Sequence, residues 1–331
     1  MERSILYIFR RTTQFFSIEN IFFMIAAELA RLPGIRPSRV ELPKAGFGPS
    51  VFMANGMFIR KLRSDLYHIT GDVHYISLFL PGKKTVLTIH DCVFMYQSHG
   101  LKRTILKKLL LDWPVRRCRV ITTISENTRR DIIRFTGCNE DKIVVIPNPV
   151  TQDIVYREKT FNGDRPVLLF IGNTPNKNLG RVTEALKGLS CKLEIIGRQS
   201  PEAEKALRDA GIAFEIFIGL SGAQMADRYA QADIILFPST FEGFGMPIIE
   251  GQKAGRVVLT SDRSPMKEVA GDGACLVDPE SVSSIREGIG RLTRNATYRE
   301  TLIAKGWENV KKYEPKQIAQ SYRNVYDQIL I

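Results

Sequence analysis

Short, largely apolar runs alternate with longer mixed stretches along the whole chain. In the first half the runs are Ile5–Phe9, Val40–Leu42, Asp65–Ile69, Thr85–Ile89, Val120–Ile124 and Ile143–Ile146. Runs without strict alternation read as strands covered on both faces, the mark of a parallel sheet. Between them Ile18–Arg31, Val51–Arg63, Leu101–Leu111 and Glu126–Phe135 carry the spacing of helices with one apolar stripe. Pro147-Asn148-Pro149 breaks the rhythm, and a polar stretch to Arg165-Pro166 reads as a linker. The rhythm then restarts. Strands are expected at Val167–Ile171, Lys192–Ile196, Ala213–Ile218, Ile234–Phe237, Val257–Leu259 and Ala274–Val277, and helices at Leu179–Leu189, Pro201–Ala210, Gln224–Ala230, Ile248–Ala254 and Val282–Leu292.

The pattern predicts an α/β protein made of two Rossmann-like halves, residues 1–155 and 156–306. A length of 331 residues and 44% hydrophobic content suit two cores. The five cysteines are scattered without a CxxC pair, so neither a disulfide framework nor a zinc site is expected, and a reducing compartment is inferred. The apolar stretch Ile21–Ala27 is bracketed by Glu19 and Glu28 and is too short to span a bilayer, which predicts a cytoplasmic protein. Charge is uneven: residues 1–155 hold 23 Lys and Arg against 13 Asp and Glu, most of the net +12. An anionic partner is implied for that half, whether nucleic acid, a phospholipid surface or a phosphorylated acceptor.

Chemistry gathers at the predicted strand ends of the second half. Gly172-Asn173-Thr174-Pro175-Asn176-Lys177-Asn178 follows its first strand, Gly197-Arg198 the second, and Gly219-Leu220-Ser221 the third. The fourth is followed by Pro238-Ser239-Thr240-Phe241-Glu242-Gly243-Phe244-Gly245-Met246-Pro247-Ile248-Ile249-Glu250. Pro247 suits the start of a helix, which places Glu242 in the loop and Glu250 in the first turn. The glycines let a backbone approach a phosphate at a helix N-terminus, and Lys177 is a compact charge for the same anion. Each loop alone is explained as well by a solvated turn. Together, all at carboxyl strand ends, they describe a nucleotide-diphosphate pocket.

The order Gly172…Lys177-Asn178, Ile196-Gly197, Gly219, Pro238-Ser239, Glu242-Gly243-Phe244-Gly245…Pro247…Glu250 resembles the group 1 (family 4) retaining glycosyltransferases of GT-B fold. Ser125-Glu126-Asn127-Thr128-Arg129-Arg130-Asp131 and Val145-Ile146-Pro147-Asn148-Pro149-Val150 are similar to the end of that family's first domain. The resemblance implies two domains facing across a cleft, with residues 307–331 a helix crossing back to the first. It implies that Glu242 accepts hydrogen bonds from the donor sugar, Glu250 binds the ribose, and Gly243, Phe244 and Gly245 present N–H groups. Lys177 would neutralise the departing diphosphate, beside Gly172, Asn173, Arg198, Gly219, Pro238 and Ser239. Same-face attack is implied, the leaving phosphate oxygen taking the acceptor's proton, so no dedicated nucleophile is expected. No DxD occurs, and neither a metal nor another cofactor is expected; the nucleotide-sugar is a substrate.

The chain departs from the family pattern in places. Asn173 stands where an arginine is usual, and Lys177 lies five residues beyond Gly172 where six are usual, so Arg198 or Arg263 is expected to supply the missing charge. Phe9-Arg10-Arg11-Thr12-Thr13 lacks the usual glycine pair, implying an acceptor side built differently.

His68-Ile69-Thr70-Gly71-Asp72 and Ile89-His90-Asp91 follow strands and are expected to face the crevice. His68, Gly71, Asp72, His90 and Asp91 are thus acceptor-side candidates, with His90 at a family position near the anomeric carbon. Structural histidines capping strands are the alternative. Leu101–Arg117, with Lys102, Arg103, Lys107, Lys108, Trp113, Arg116 and Arg117, is a basic amphipathic stretch able to lie on an anionic membrane at the cytoplasmic face of the inner membrane. A core-packed helix with a solvated face explains it equally. No aromatic interleaving supports nucleic acid. The expected activity is retaining transfer of a sugar from a UDP- or GDP-linked donor to a glycan or lipid-linked acceptor in bacterial-type surface polysaccharide assembly. A GT-B sugar-nucleotide 2-epimerase and a non-catalytic nucleotide-sugar-binding subunit are the alternatives.

Overall fold

The computed structural model describes residues 2–11 and 17–330. Contacts divide the chain into Met1–Pro149 with Glu314–Ile331, and Val150–Tyr313. The first unit holds six strands: β1 (Arg3–Phe9), β2 (Ile35–Glu41), β3 (Leu66–Ile69), β4 (Thr85–Ile89), β5 (Val120–Thr123) and β6 (Ile143–Val145), in the order β2-β1-β3-β4-β5-β6. The second holds β7 (Val167–Ile171), β8 (Lys192–Ile196), β9 (Ala213–Phe217), β10 (Ile234–Phe237), β11 (Val257–Ser261) and β12 (Cys275–Val277), in the order β12-β11-β10-β7-β8-β9. Every pairing is parallel. Central strands such as Leu66–Ile69 and Ile234–Phe237 are buried at every position, as strands covered on both faces must be.

Strand order reverses between β1 and β3 in the first sheet and between β7 and β10 in the second. Helices leave opposite faces there, so the loops that follow these strands diverge and leave room for a ligand. β2 is longer at its start than the apolar pattern predicts, and Pro37 lies inside it. The edge position permits this, because one side of an edge strand needs no ladder partner.

Pro315–Ile329 forms a helix of the first unit and packs against the helix Ser17–Ala30. Pro315, lacking an N–H, opens it. Trp307 lies earlier, in the helix Ala296–Val310 of the second unit, so the returning helix begins at 315 rather than 307.

His68 is not at a crevice. It sits within β3, fully buried, with Nδ1 2.6 Å from the Tyr326 hydroxyl and Nε2 2.7 Å from Thr88 Oγ1. Tyr326 reaches Tyr7 at 2.9 Å, and Thr88 reaches Thr122 at 2.6 Å. Desolvation, then the neighbouring His90, pushes the His68 pKa down to about 3, so it is a neutral core group. The strand runs one residue beyond His68, which turns its side chain into the layer under the returning helix.

Candidate active site

The two loops at the second sheet's switch point are bonded to each other. Lys177 Nζ lies 2.7 Å from Glu242 Oε1 and 4.8 Å from the centre of the Phe237 ring. Asn176 donates to the Phe241 carbonyl at 2.8 Å, and its own carbonyl accepts from the Thr240 N–H at 2.8 Å. Asn178 holds the base of the loop: its amide donates to the carbonyls of Pro238 (3.0 Å) and Pro279 (2.6 Å). It adopts a left-handed conformation, φ 73°, which turns the chain sharply into the helix Leu179–Leu186. That turn shortens the loop and folds the Lys177 stem back over Gly172.

Gly172, Gly197, Gly219 and Gly245 all have positive φ. At Gly172 the reason is space as well as backbone, since a Cβ would stand 2.6 Å from Lys177 Cγ. Gln199 ties two strand ends, donating to the carbonyls of Gly172 and Gly197 at 2.9 Å each. Sequence gave no signal for it, because the bond spans 27 residues. Asn173 and Arg198 are exposed. Arg263 donates to the Thr240 carbonyl at 3.1 Å and meets Glu280 at 3.2 Å. Of the two arginines considered for the missing charge, Arg198 is the one without an ion pair among the described residues.

Ser239 is fully buried, and its Oγ is without a partner among the described residues. Phe244 packs edge-on against Tyr313 at 5.8 Å. Gly245 caps the helix Met246–Lys253, with Pro247 in its first turn. Glu250 is the fifth residue of this helix, one turn deeper than expected. Its carboxylate accepts from Thr151 Oγ1 and Tyr229 Oη, each at 2.6 Å. Desolvation raises its pKa while these two hydrogen bonds lower it, with a net upward shift. A carboxylate already holding two hydroxyls is suited to a vicinal diol.

In the first unit a cavity of about 770 Å³ opens at the switch point, lined among others by Arg10, Asp72, His74, His90 and Asp91. His90 Nε2 donates to the Thr70 carbonyl at 2.8 Å, leaving Nδ1 as the acceptor. His74 does the reverse: Nδ1 donates to the Leu110 carbonyl at 2.6 Å, leaving Nε2. Pro114, four residues on, has no N–H to offer that carbonyl. Burial pushes both histidine pKa values down, so both rings are neutral near pH 7. Asp72 pairs with Arg10 at 3.2 Å, Gly71 is buried beneath Arg10, and Asp91 accepts from the Val93 N–H at 2.9 Å. Of the expected acceptor set, His90, Asp72 and Asp91 line this cavity, and His68 does not. Thr12 and Thr13 lie outside the described residues. Among the described residues no group of three or more His, Cys, Asp or Glu is placed to hold a metal.

The sequence model of a family described as Glycosyl transferases group 1 matches residues 152–308, and that of Glycosyltransferase Family 4 matches residues 24–153. The chain is 25% identical over 282 residues to the O-antigen chain mannosyltransferase B of Escherichia coli, covering 76% of this chain and 73% of that protein. Of three other curated relatives it spans 44 to 60% of the length. Among solved structures, a glycosyltransferase from Rickettsia africae superposes with a TM-score of 0.80 at 16% identity, covering 99% of both chains. Anabaena HepE, solved with UDP and glucose, gives 0.80 at 12% identity over 99% of this chain and all of that one. At these identities the likeness is one of fold.

Proposed function

From the premise that the chain belongs to the group 1 glycosyltransferases of GT-B fold, we propose that it transfers a sugar, with retention, from a UDP- or GDP-linked donor to a glycan or lipid-linked acceptor of a surface polysaccharide. The observation that carries this reading is the Lys177–Glu242 pair bridging the two loops of the switch point. Donor binding exchanges that ion pair for better partners. Glu242 accepts from the sugar's hydroxyls, and Lys177, freed, meets the diphosphate, with Arg198 free to add a second charge. Glu250 takes the ribose diol, and the N–H groups of Gly243 to Gly245 face the phosphates. The anomeric carbon–oxygen bond to the diphosphate breaks, the acceptor oxygen bonds to the same face, and its proton passes to the leaving phosphate oxygen. Lys177 stabilises the charge that develops there. The neutral His90 and His74 accept hydrogen bonds from the acceptor. No metal is assigned a role.

The names of the O-antigen chain mannosyltransferases among the relatives support a polysaccharide acceptor, and that of a phosphatidyl-myo-inositol mannosyltransferase supports a lipid-linked one. The helix Gly100–Lys107 exposes Leu101 and Ile105 among its cations, with Trp113 beyond it, which favours attachment to an anionic membrane surface. Among the described residues no helix is long and apolar enough to cross a membrane.

The test is turnover of a panel of UDP- and GDP-sugars by the wild type and by Glu242→Ala, with and without chelator. Glu242→Ala should reduce turnover by about a hundredfold or more, the scale of losing an acceptor that holds the sugar in its reactive geometry, and leave the melting temperature unchanged. Chelator should have no effect. Equal turnover by the variant removes the role given to Glu242.

A further inference from the structure

The cavity of the first unit is lined by two cationic residues on neighbouring pieces of chain, Arg11 and Lys44. Lys44 is exposed, yet its backbone is fixed on both sides by the fully buried Asn55. The Asn55 carbonyl accepts from the Lys44 N–H at 3.0 Å, and its amide donates to the Lys44 carbonyl at 3.0 Å and to the Tyr75 hydroxyl at 2.9 Å. Arg11 donates to the carbonyl of Pro43, the residue just before Lys44, at 2.5 Å. Arg11 and Lys44 therefore meet on one short piece of chain, and both line the cavity. Neither meets a carboxylate among the described residues. Arg10 beside them is paired with two carboxylates, Glu19 at 3.1 Å and Asp72 at 3.2 Å. Burying an amide costs desolvation unless every bond is made. Here Asn55 makes its bonds to the backbone of Lys44, which fixes the point of the chain from which that side chain reaches the cavity.

The geometry points to an oxyanion subsite made by Arg11 and Lys44, which receives a phosphate or carboxylate carried by the acceptor. The planar fork of Arg11 matches two oxygens, and Lys44 adds a point charge. Beyond this rim, His74 Nε2 and His90 Nδ1 accept from the hydroxyls of the attached sugar. Naming the ligand as acceptor rests on the transfer reaction proposed above; the binding of an oxyanion does not.

Binding is measured by titration calorimetry in a Lys177→Ala/Arg198→Ala background, which removes both cations assigned to the phosphates in the second unit. The probes are glucose 1-phosphate, glucuronate and methyl glucoside. At least one anionic probe should bind about tenfold more tightly than methyl glucoside, a difference of about 1.4 kcal/mol. That advantage should vanish in Arg11→Ala/Lys44→Ala, and equally in Arg11→Gln/Lys44→Gln, with methyl glucoside unaffected. Preference for the 1-phosphate assigns the site to phosphate esters, and preference for glucuronate assigns it to uronic acids. An anionic advantage that is missing in the parent, or that survives both double substitutions, overturns the subsite. Should the wild type turn over no nucleotide-sugar, the transfer reaction falls while this comparison still decides the subsite.

Discussion

Gly172 answers to two constraints at once. Its φ of 121° disfavours any side chain, and the Lys177 stem occupies the place of its Cβ. Gly211, with φ 68° and nothing within 4 Å, has only the first constraint. Gly172→Ala should therefore displace Lys177 as well as strain the backbone. Donor KM should rise by about tenfold, while both Gly172→Ala and Gly211→Ala lose roughly 1–3 kcal/mol of stability. Steady-state kinetics of the two variants check this, and equal KM effects would show that the contact with Lys177 is irrelevant. The glycines and Lys177 were legible because their spacing follows the strand ends, and strand ends are set by local hydrophobicity. The residues that brace these loops from afar were not. Gln199 and Thr151 act through bonds to residues 27 and 99 positions away, and nothing in their neighbours announces it. His68 was misplaced for the same reason: a histidine near a strand end can turn either way, and only packing by Tyr326 decides.

Elements were read well where the apolar stripe was dense. The helix Ala296–Val310 was not read, since Leu302, Gly306, Asn309 and Val310 are its only buried positions. The basic stretch, for which periodicity predicts one helix to Leu111, is more complex, with Lys108–Asp112 wound as a π-turn between Gly100–Lys107 and Trp113–Arg117. Pro114 sits just beyond the wider turn, and the carbonyl of Leu110 is turned to His74. This arrangement leaves Leu101 76%, Ile105 45% and Trp113 45% exposed, an apolar set beside Lys102 and Arg103. Replacing Lys102, Arg103, Lys107 and Lys108 by Glu should release the protein from vesicles containing phosphatidylserine, since each basic residue near such a surface contributes about 1 kcal/mol. Cosedimentation is the measurement. Lys107 also pairs with Asp112 at 2.7 Å, so a melting curve accompanies it. Unchanged sedimentation would leave the helix as a solvated face.

Over the whole molecule, stability should depend on acidity in one direction. The unfolded chain takes up a proton at each histidine near pH ~6.5, whereas folded His68, His74 and His90 resist it. Stability is therefore complete above that pH and declines as acid is added, for His68 until its folded value of about 3 is approached. The slope is at most about 1.4 kcal/mol per pH unit for each histidine. Urea midpoints at pH 7 and pH 5 measure it, and His68→Gln should flatten the difference; an identical pH dependence in that variant would count against the buried network as its source. The same network has a consequence for synthesis on the ribosome. The hydroxyl that completes the core around Tyr7 and His68 belongs to Tyr326, which is translated only after residues 150–313 have been made. Domains usually fold as they emerge, the first one first; here the first unit cannot complete its core before the second has been made. The second unit can complete itself during elongation, while in the first the layer formed by Tyr322 and Tyr326 beside Phe22 is filled only when their helix is made.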